Sequence, residues 1–277
     1  MIRAGVMGWP VEHSRSPLLH GFWLKQHGID GTYELLPVRP ERLRAALHGL
    51  AAQGFAGCNL TVPHKQAALA VVDHIDATAA RIGAVNTVII RRDGRLDGRN
   101  TDAFGFRENL RAAQPTWRGS AGPAVVLGAG GAARAVVAAL LDDGAPEIRL
   151  VNRSRAHAAA LAAALGGPIT VIDWSRRATA LGNAALLVNT TSLGMTGQPP
   201  LDLALDTLPQ TALVNDIVYA PLETPLLSAA RQRGNPVVDG LGMLLHQARP
   251  AFAAWFGVTP AVTPALRQAV AASLVAR

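Results

Sequence analysis

AVVLGAGGAARAVVAALL, residues 124–141, joins an apolar strand, a glycine turn and a helix in a continuous run. Gly128 permits the tight turn, Gly130 lets a phosphate group approach the backbone, and Ala133 lets the helix pack closely on the strand. A second apolar segment, EIRLVNR at 147–153, completes a βαβ unit. This order predicts a doubly wound nucleotide-binding domain of the Rossmann type.

Strand and helix patterns alternate on both sides of this unit. They predict an α/β fold with two domains: an N-terminal α/β substrate domain and a Rossmann-type doubly wound dinucleotide-binding domain. The loop QPTWRGSAGP at 114–123 is a candidate boundary. The ranges adopted are 1–101 for the first domain and 102–238 for the second, with two predicted helices in 239–277 returning to the first.

Hydrophobic periodicity also predicts the individual elements. Strands are expected at 2–8, 32–38, 55–61, 184–190 and 211–217, with short strands near 85–98. Helices are expected at 17–27, 40–53, 64–72, 102–113, 131–143 and 155–165.

Composition limits the functional classes. The net charge is +7 and the pI is near 10.8, but the basic residues are scattered, which favours attraction for small anions over nucleic-acid binding. No apolar run of about 18 residues and no basic-then-apolar leader is present, so we expect no membrane segment and a cytoplasmic location. Cys58 is the single cysteine, so we expect a small buried hydrophobe, with no disulfide and no metal site.

The second strand of the βαβ unit predicts which dinucleotide is bound. An NAD site usually places an acidic residue at this strand end, but the chain has Asn152, Arg153 and Ser154 there. Arg153 can stack on adenine and pair with a 2′-phosphate, and its neighbours can hydrogen-bond that phosphate. We therefore expect NADP, although Arg155 fits a solvated basic turn.

The N-terminal half contains three polar clusters, each at a strand-to-helix junction. They are Ser14-Arg15-Ser16-Pro17, Asn59-Leu60-Thr61-Val62-Pro63-His64-Lys65 and Asn100-Thr101-Asp102. Loops at strand ends carry binding groups in α/β folds. Each cluster also has a structural interpretation, because Ser16 and Asp102 are suitable helix caps and Asn86 suits a turn.

Together these segments resemble the shikimate dehydrogenase family. GVMGWPVEHSRSPLLH, CNLTVPHK, GAVNT and NTDAFGF are similar to its substrate-side motifs. GAGGAARA, VNRSR, NTTSLGM, NDIVYAPLETPLL and DGLGMLLHQA match its later motifs in order, so the resemblance covers almost the whole chain.

The resemblance implies roles for particular residues. Lys65 and Asp102 would be the catalytic pair. Shikimate would be held by Ser14, Ser16, Asn59, Thr61, Asn86, Tyr219 and Gln247. NADP would be held by Gly128, Ala129, Gly130, Gly131, Ala132, Asn152, Arg153, Ser154, Ile217, Gly240 and Met243.

Acid–base chemistry supports the same catalytic pair. Oxidation of a secondary alcohol requires removal of the hydroxyl proton as hydride leaves the carbon. Of the 26 basic residues only Lys25 and Lys65 are lysines, and lysine can lose its proton near neutral pH whereas arginine cannot. A helix N-terminus would disfavour the Lys65 ammonium and Asp102 would favour it. Which residue formally carries the proton stays open.

Two alternatives remain from the sequence. The family usually has a basic residue where this chain has His157, and the residue types cannot separate shikimate from quinate. A quinate/shikimate dehydrogenase of relaxed specificity is therefore one alternative. A non-catalytic NADP-binding sensor with the same fold is the other. The expected partners are small molecules, with no nucleic acid and no membrane, and the expected assembly is a monomer or homodimer.

Overall fold

Six strands in the N-terminal part of the chain form one mixed sheet in the computed structural model, which describes residues 1–275. The strands are β1 (Ile2–Gly8), β2 (Gly31–Pro37), β3 (Phe55–Leu60), β4 (His74–Ile75), β5 (Thr87–Ile90) and β6 (Leu96–Arg99). The helices are α1 (Ser16–Gln26), α2 (Leu43–Gly49), α3 (His64–Ala67) and α4 (Ala77–Ile82).

Strand direction in this sheet fixes where the loops gather. The strand order is β2-β1-β3-β5-β6-β4, with β1 parallel to β2 and β3, and with β5 antiparallel to both β3 and β6. The carboxyl ends of β1, β3 and β6 therefore lie at the same edge as the start of β5. All three polar clusters of the sequence follow strands that end at this edge.

The following segment contains the elements of a second sheet. Its helices are α5 (Asp102–Ala113), α6 (Gly131–Asp142), α7 (Arg155–Leu165) and α8 (Pro225–Gln232). Its strands are β7 (Ala124–Leu127), β8 (Ile148–Asn152), β9 (Ile169–Asp173), β10 (Leu186–Asn189), β11 (Leu213–Asp216) and β12 (Val237–Val238).

This second sheet is wholly parallel, in the order β12-β11-β10-β7-β8-β9. Counted from β7, that is the doubly wound Rossmann order, so this prediction is confirmed. The strand order reverses between β7 and β10, whose carboxyl ends define the crevice where ligands bind in such sheets. The four central strands are mostly buried and rich in Val and Leu, as expected when helices cover both faces.

Two helices follow β12, α9 (Leu241–Phe256) and α10 (Pro264–Val275). Aromatic side chains of α9 pack into the first sheet's core: the rings of Phe252 and Trp23 lie 5.4 Å apart, and the Trp255 indole donates to the carbonyl of Val88 at 3.1 Å. Trp23 in turn donates to the carbonyl of Ala261 at 3.0 Å. These contacts tie the end of the chain to its beginning.

The chain accordingly divides into two units. Residues 1–102 and 245–273 form the first, and residues 103–244 belong to the second. The loop 114–123 lies inside the second unit and is not where the chain crosses between them. No helix in the part of the chain that the structure describes is long and apolar enough to cross a membrane.

Some local predictions were wrong. The helix expected at 40–53 is three pieces, because α2 is flanked by 3-10 turns at Pro40–Arg42 and Ala51–Gln53 and ends at a glycine. The helix expected at 64–72 is the four-residue α3 followed by a 3-10 turn at Ala68–Ala70. A helix this short gives Lys65 little of the dipole effect that the sequence suggested.

Candidate active site

Four polar residues of the first unit meet at the edge where its strand ends gather. Asn59 lies on β3, Lys65 on α3, Asn86 just before β5 and Asp102 after β6. Asn59, Asn86 and Asp102 are buried. Buried polar side chains need hydrogen-bond partners, and these residues supply one another's.

Lys65 and Asp102 form an ion pair. The Lys65 Nζ atom lies 2.6 Å from Asp102 Oδ2, and the two side chains are 23% and 8% exposed. The other carboxylate oxygen accepts from Asn86 Nδ2 at 2.8 Å, so both oxygens have donors. The carboxylate is fixed on its protein side, while the ammonium keeps an exposed part that a ligand can reach.

Asn86 joins the strands around this pair. Its Nδ2 also donates to Thr101 Oγ1 at 3.0 Å, and its Oδ1 accepts from the Thr101 amide at 2.9 Å and from Thr87 Oγ1 at 3.0 Å. Asn100 Oδ1 accepts from the Asp102 amide at 2.9 Å. The amide of Asn86 therefore orients the Asp102 carboxylate and does more than fill a turn.

Asn59 has equally complete contacts. Its Nδ2 donates to the carbonyl of Asn86 at 3.0 Å and to Thr87 Oγ1 at 3.1 Å, and its Oδ1 accepts from the Tyr33 hydroxyl at 2.6 Å. The side chain therefore has one orientation, with its oxygen towards Tyr33.

The serine motif lies at the start of α1. Ser16 is buried, and its amide donates to Ser14 Oγ at 3.3 Å. The residue in the cap position is Arg15, and no side chain caps this helix, so Ser16 does not cap it. Asp102 is likewise the first residue of α5, and its carboxylate binds Lys65 and Asn86.

The remaining predicted substrate residues are distributed over both units. Thr61 is half-buried directly after β3, and Gln247 Oε1 lies 3.4 Å from Asn86 Nδ2 and 3.4 Å from Thr101 Oγ1. Tyr219 follows β11 in the second unit. Helix α9 contains Met243 and Gln247, the former assigned to the second unit and the latter to the first.

Sequence reasoning assigned no role to four residues of this network: Asn100 and Thr101, which it placed in a polar cluster, and Thr87 and Tyr33. Thr101 and Thr87 each adjoin a predicted site residue, inside the motifs NTD and GAVNT, and those motifs were the available signal. Tyr33 lies in the apolar strand β2, where an aromatic residue is typical of a core, so nothing in its neighbourhood distinguished it.

Two further side chains near these motifs have structural roles. Cys58 is fully buried, and burial raises the pKa of its thiol to about 12, as befits a small hydrophobe. His64 is buried and its Nε2 donates to the carbonyl of Val38 at 2.8 Å. Among the described residues, no group of three or more His, Cys, Asp or Glu is placed to hold a metal ion.

The glycine turn occupies the switch point of the second sheet. Gly128 has φ +105°, and a Cβ there would lie 2.6 Å from Thr190 Oγ1 at the end of β10, so the fold itself requires glycine. Gly130 differs, because its φ is −84° and a Cβ there would meet nothing within 4 Å. A Cβ at Gly131 would also meet nothing within 4 Å. Protein packing therefore does not explain these two glycines.

The start of α6 is open to a ligand. Gly130 is its N-cap and provides no side-chain acceptor for the amides of the first turn, which includes Gly131 and Ala132. The half-buried Ala129 precedes it, and Ala133 is fully buried against the strand. Unsatisfied helix N-terminal amides favour an anion, so the turn fits a dinucleotide's phosphates.

The end of β8 presents the predicted phosphate-binding residues. Asn152 Nδ2 donates to the carbonyl of Ser154 at 2.9 Å, and the Ser154 hydroxyl caps α7 by accepting from the His157 amide at 3.4 Å. Arg153 is exposed at this turn. Arg155 instead pairs with Asp173 at 2.8 Å on the exposed surface, which agrees with its interpretation as a surface cation.

A buried carboxylate holds the ends of β10 and β11. Asp216 accepts from Asn189 Nδ2 at 3.0 Å, from the Val218 amide at 3.0 Å and from Thr224 Oγ1 at 2.7 Å. Burial raises the pKa of Asp216, and these hydrogen bonds oppose that rise. This fixes the loop that carries Ile217 and Tyr219.

Gly240 packs against the same loop. A Cβ on Gly240 would lie 2.1 Å from the carbonyl oxygen of Ile217, so close packing already explains the absence of a side chain there.

Family models match the chain in three segments. The shikimate dehydrogenase substrate binding domain matches residues 6–88, the shikimate / quinate 5-dehydrogenase model matches 113–195, and the shikimate 5′-dehydrogenase C-terminal domain matches 240–271.

Individual relatives match over nearly their whole length. A protein of Paramagnetospirillum magneticum named shikimate dehydrogenase (NADP(+)) is 65% identical, over 95% of this chain and 96% of that one. The structure of shikimate 5-dehydrogenase from Thermus thermophilus, in complex with NADP(H) and shikimate, is 40% identical with a TM-score of 0.87, over 99% of this chain and 100% of that one. Quinate dehydrogenase from Corynebacterium glutamicum, in complex with NAD, is 31% identical with a TM-score of 0.90, over 97% of this chain and 98% of that one. The chain therefore belongs to the shikimate dehydrogenase family.

Proposed function

We propose that this chain is an NADP-dependent shikimate dehydrogenase, which reversibly reduces 3-dehydroshikimate to shikimate in the pathway to the aromatic amino acids. Substrate binding is assigned to the first unit, 1–102 with 245–273, and NADP binding to the second. We further propose that it acts in the cytoplasm as a monomer or homodimer.

The observation that carries the proposal is the Lys65–Asp102 pair at 2.6 Å, in a site formed by converging strand ends. An ion pair of this kind is costly to bury and is a poor source of stability. A partly exposed amine beside an oriented carboxylate is, however, the arrangement needed to move a proton at a substrate oxygen.

The pair's role follows from its geometry. In the reductive direction, the Lys65 ammonium donates a proton to the substrate oxygen as negative charge develops there. In the oxidative direction, the neutral Lys65 amine accepts the hydroxyl proton. Asp102, oriented by Asn86, holds the Nζ atom in place and offers its carboxylate to the hydroxyl. NADP, when bound, supplies or accepts the hydride.

The other substrate contacts are assigned by chemistry. The hydroxyls of Ser14, Ser16 and Thr61 suit a carboxylate or ring hydroxyl, since they can donate to either. The remaining assigned substrate ligands are Asn59, Asn86, Gln247 and Tyr219.

The second unit's residues fit a dinucleotide. The two glycines with open space where a Cβ would be, Gly130 and Gly131, leave room for phosphates at the uncapped N-terminus of α6. Arg153, exposed at the end of β8 in a turn with no acidic residue at 152–154, suits the 2′-phosphate of NADP. Asn152, Ser154, Ile217, Gly240 and Met243 are assigned to the same cofactor.

The function is tested by initial rates of the purified protein with shikimate and quinate, each with NADP⁺ and NAD⁺. We expect kcat/KM for shikimate with NADP⁺ to exceed every other combination by about tenfold or more, a difference of about 1.4 kcal/mol. Comparable rates with quinate or NAD⁺ would instead indicate the relaxed enzyme. Binding of NADP⁺ without any turnover would indicate a sensor.

Lys65→Arg tests the proton-transfer role. Arginine keeps the positive charge but cannot release its proton near neutral pH, so we expect kcat to fall by about a hundredfold or more. The matched control is Lys25→Arg, which changes the other lysine, exposed on α1, and should leave kcat unchanged. A Lys65→Arg enzyme that keeps most of its kcat would refute the assignment.

Gly130→Ala tests the phosphate site. The added methyl group meets no protein atom within 4 Å, so the free energy of unfolding should change by less than about 1 kcal/mol. We expect KM for NADP⁺ to rise about tenfold, because the methyl group occupies space that the phosphates need. The KM for shikimate is the internal control, and an unchanged KM for NADP⁺ would contradict the site.

Arg153→Ala tests the choice of NADP. Loss of a charged hydrogen bond to the 2′-phosphate should raise KM for NADP⁺ about tenfold or more, with little change for NAD⁺. The matched control is Arg155→Ala, because Arg155 already pairs with Asp173. Equal effects of the two substitutions would show that the arginines act only as general positive charge.

A further inference from the structure

The hydroxyl of Tyr33 is buried inside the first unit, next to Asn59 of the candidate site. The residue is 8% exposed on β2, and its Oη atom donates to Asn59 Oδ1 at 2.6 Å. A buried hydroxyl is retained where it finds partners, since the ring alone would fill the same space as phenylalanine.

The surroundings of Tyr33 keep its phenol protonated. Burial raises the pKa of Tyr33 well above its ordinary value and the nearby Cys58 raises it further, while Ser16 has a smaller, opposite effect. Tyr33 is therefore a hydrogen-bond donor, and it donates to Asn59 near the end of β3.

The contact with Tyr33 completes the orientation of Asn59. Both Nδ2 hydrogens are already taken, by the Asn86 carbonyl and by Thr87 Oγ1, so Oδ1 must face the phenol. In this orientation Asn59 can offer a ligand only the remaining lone pair of Oδ1, and thus accepts from a hydroxyl.

The ring that carries the hydroxyl is held by stacking. His20 lies parallel to it, with ring centroids 3.9 Å apart and planes 4° apart, and Trp255 lies 6.1 Å away. His20 is fully buried, burial lowers its pKa to about 3, and neither of its ring nitrogens has a hydrogen-bond partner among the described residues. His20 is therefore neutral and acts as a flat surface that fixes the ring.

We propose that Tyr33 is a positioning residue for substrate binding, whose buried hydroxyl holds Asn59 in the orientation that the sugar acid requires. Tyr33 itself does not touch the substrate. This inference rests on the proposed function, in which Asn59 binds shikimate.

Tyr33→Phe removes the hydroxyl and keeps the stacked ring. We expect KM for shikimate to rise about tenfold while kcat changes by less than about threefold, because ground state and transition state lose the same binding. The pH profile of kcat and the KM for NADP⁺ should match those of the wild type, since Lys65, Asp102 and the second unit are unaltered.

Thr263→Ala is the matched control for stability. Thr263 Oγ1 accepts from the Leu266 amide at the start of α10 in the same unit, away from Asn59. Loss of this helix cap should lower Tm by a few degrees without changing KM. If both variants raise KM equally for equal losses in Tm, Tyr33 is merely structural and the proposal is overturned.

A double variant tests the route through Asn59. If Tyr33 acts mainly by orienting that amide, adding Tyr33→Phe to Asn59→Ala should raise KM by less than about threefold further. If the two substitutions instead raise KM by the product of their separate effects, the proposal is overturned. If the wild-type protein reduces NADP⁺ with neither shikimate nor any other sugar acid, the proposed function itself is wrong. If the wild type is active and Tyr33→Phe leaves KM for shikimate unchanged, only this inference is wrong.

Discussion

A buried side-chain amide must satisfy two N–H groups and an oxygen, and Asn86 does so with Thr87, which follows it directly, and with Thr101 and Asp102 after β6. It lies where β5 begins and β6 ends, so it ties the carboxylate of Asp102 to the sheet. Tyr33, Asn59, Thr87, Asn86 and Asp102 then form one line of donors and acceptors. Hydrogen bonds in such a line polarise one another, which makes the whole site stiffer than its separate pairs.

The sequence was sufficient for the features that local chemistry determines. Strand, glycine turn and helix occur together at 124–141, and the polar clusters follow strands directly, so both the Rossmann sheet and the edge bearing Lys65 and Asp102 could be predicted. These patterns depend on neighbours along the chain. The lack of an acid at 152–154 also predicted NADP, because the residues that distinguish NADP from NAD lie in one short turn of the sequence.

Features that depend on distant contacts could not be predicted. The two-residue strands β4 and β12 are too short to show a period, and the antiparallel direction of β5 is set by its partners β3 and β6. Tyr33 and His20 have the spacing of ordinary core residues, and only their tertiary neighbours show that one carries a bonded hydroxyl and the other a neutral ring. Ser16 was open to interpretation as a cap until the backbone placed Arg15 there.

The two units also differ in how early they can be completed during synthesis. All the strands of the second sheet are present once Val238 has been translated, and they come from one continuous segment. The first unit begins at the first residue but obtains Phe252 and Trp255 from α9 only much later. The strands of the Rossmann sheet are therefore available to fold together before α9 has been made. The core of the first unit stays incomplete, with Trp23 and the Val88 carbonyl unpaired, until α9 and α10 emerge from the ribosome.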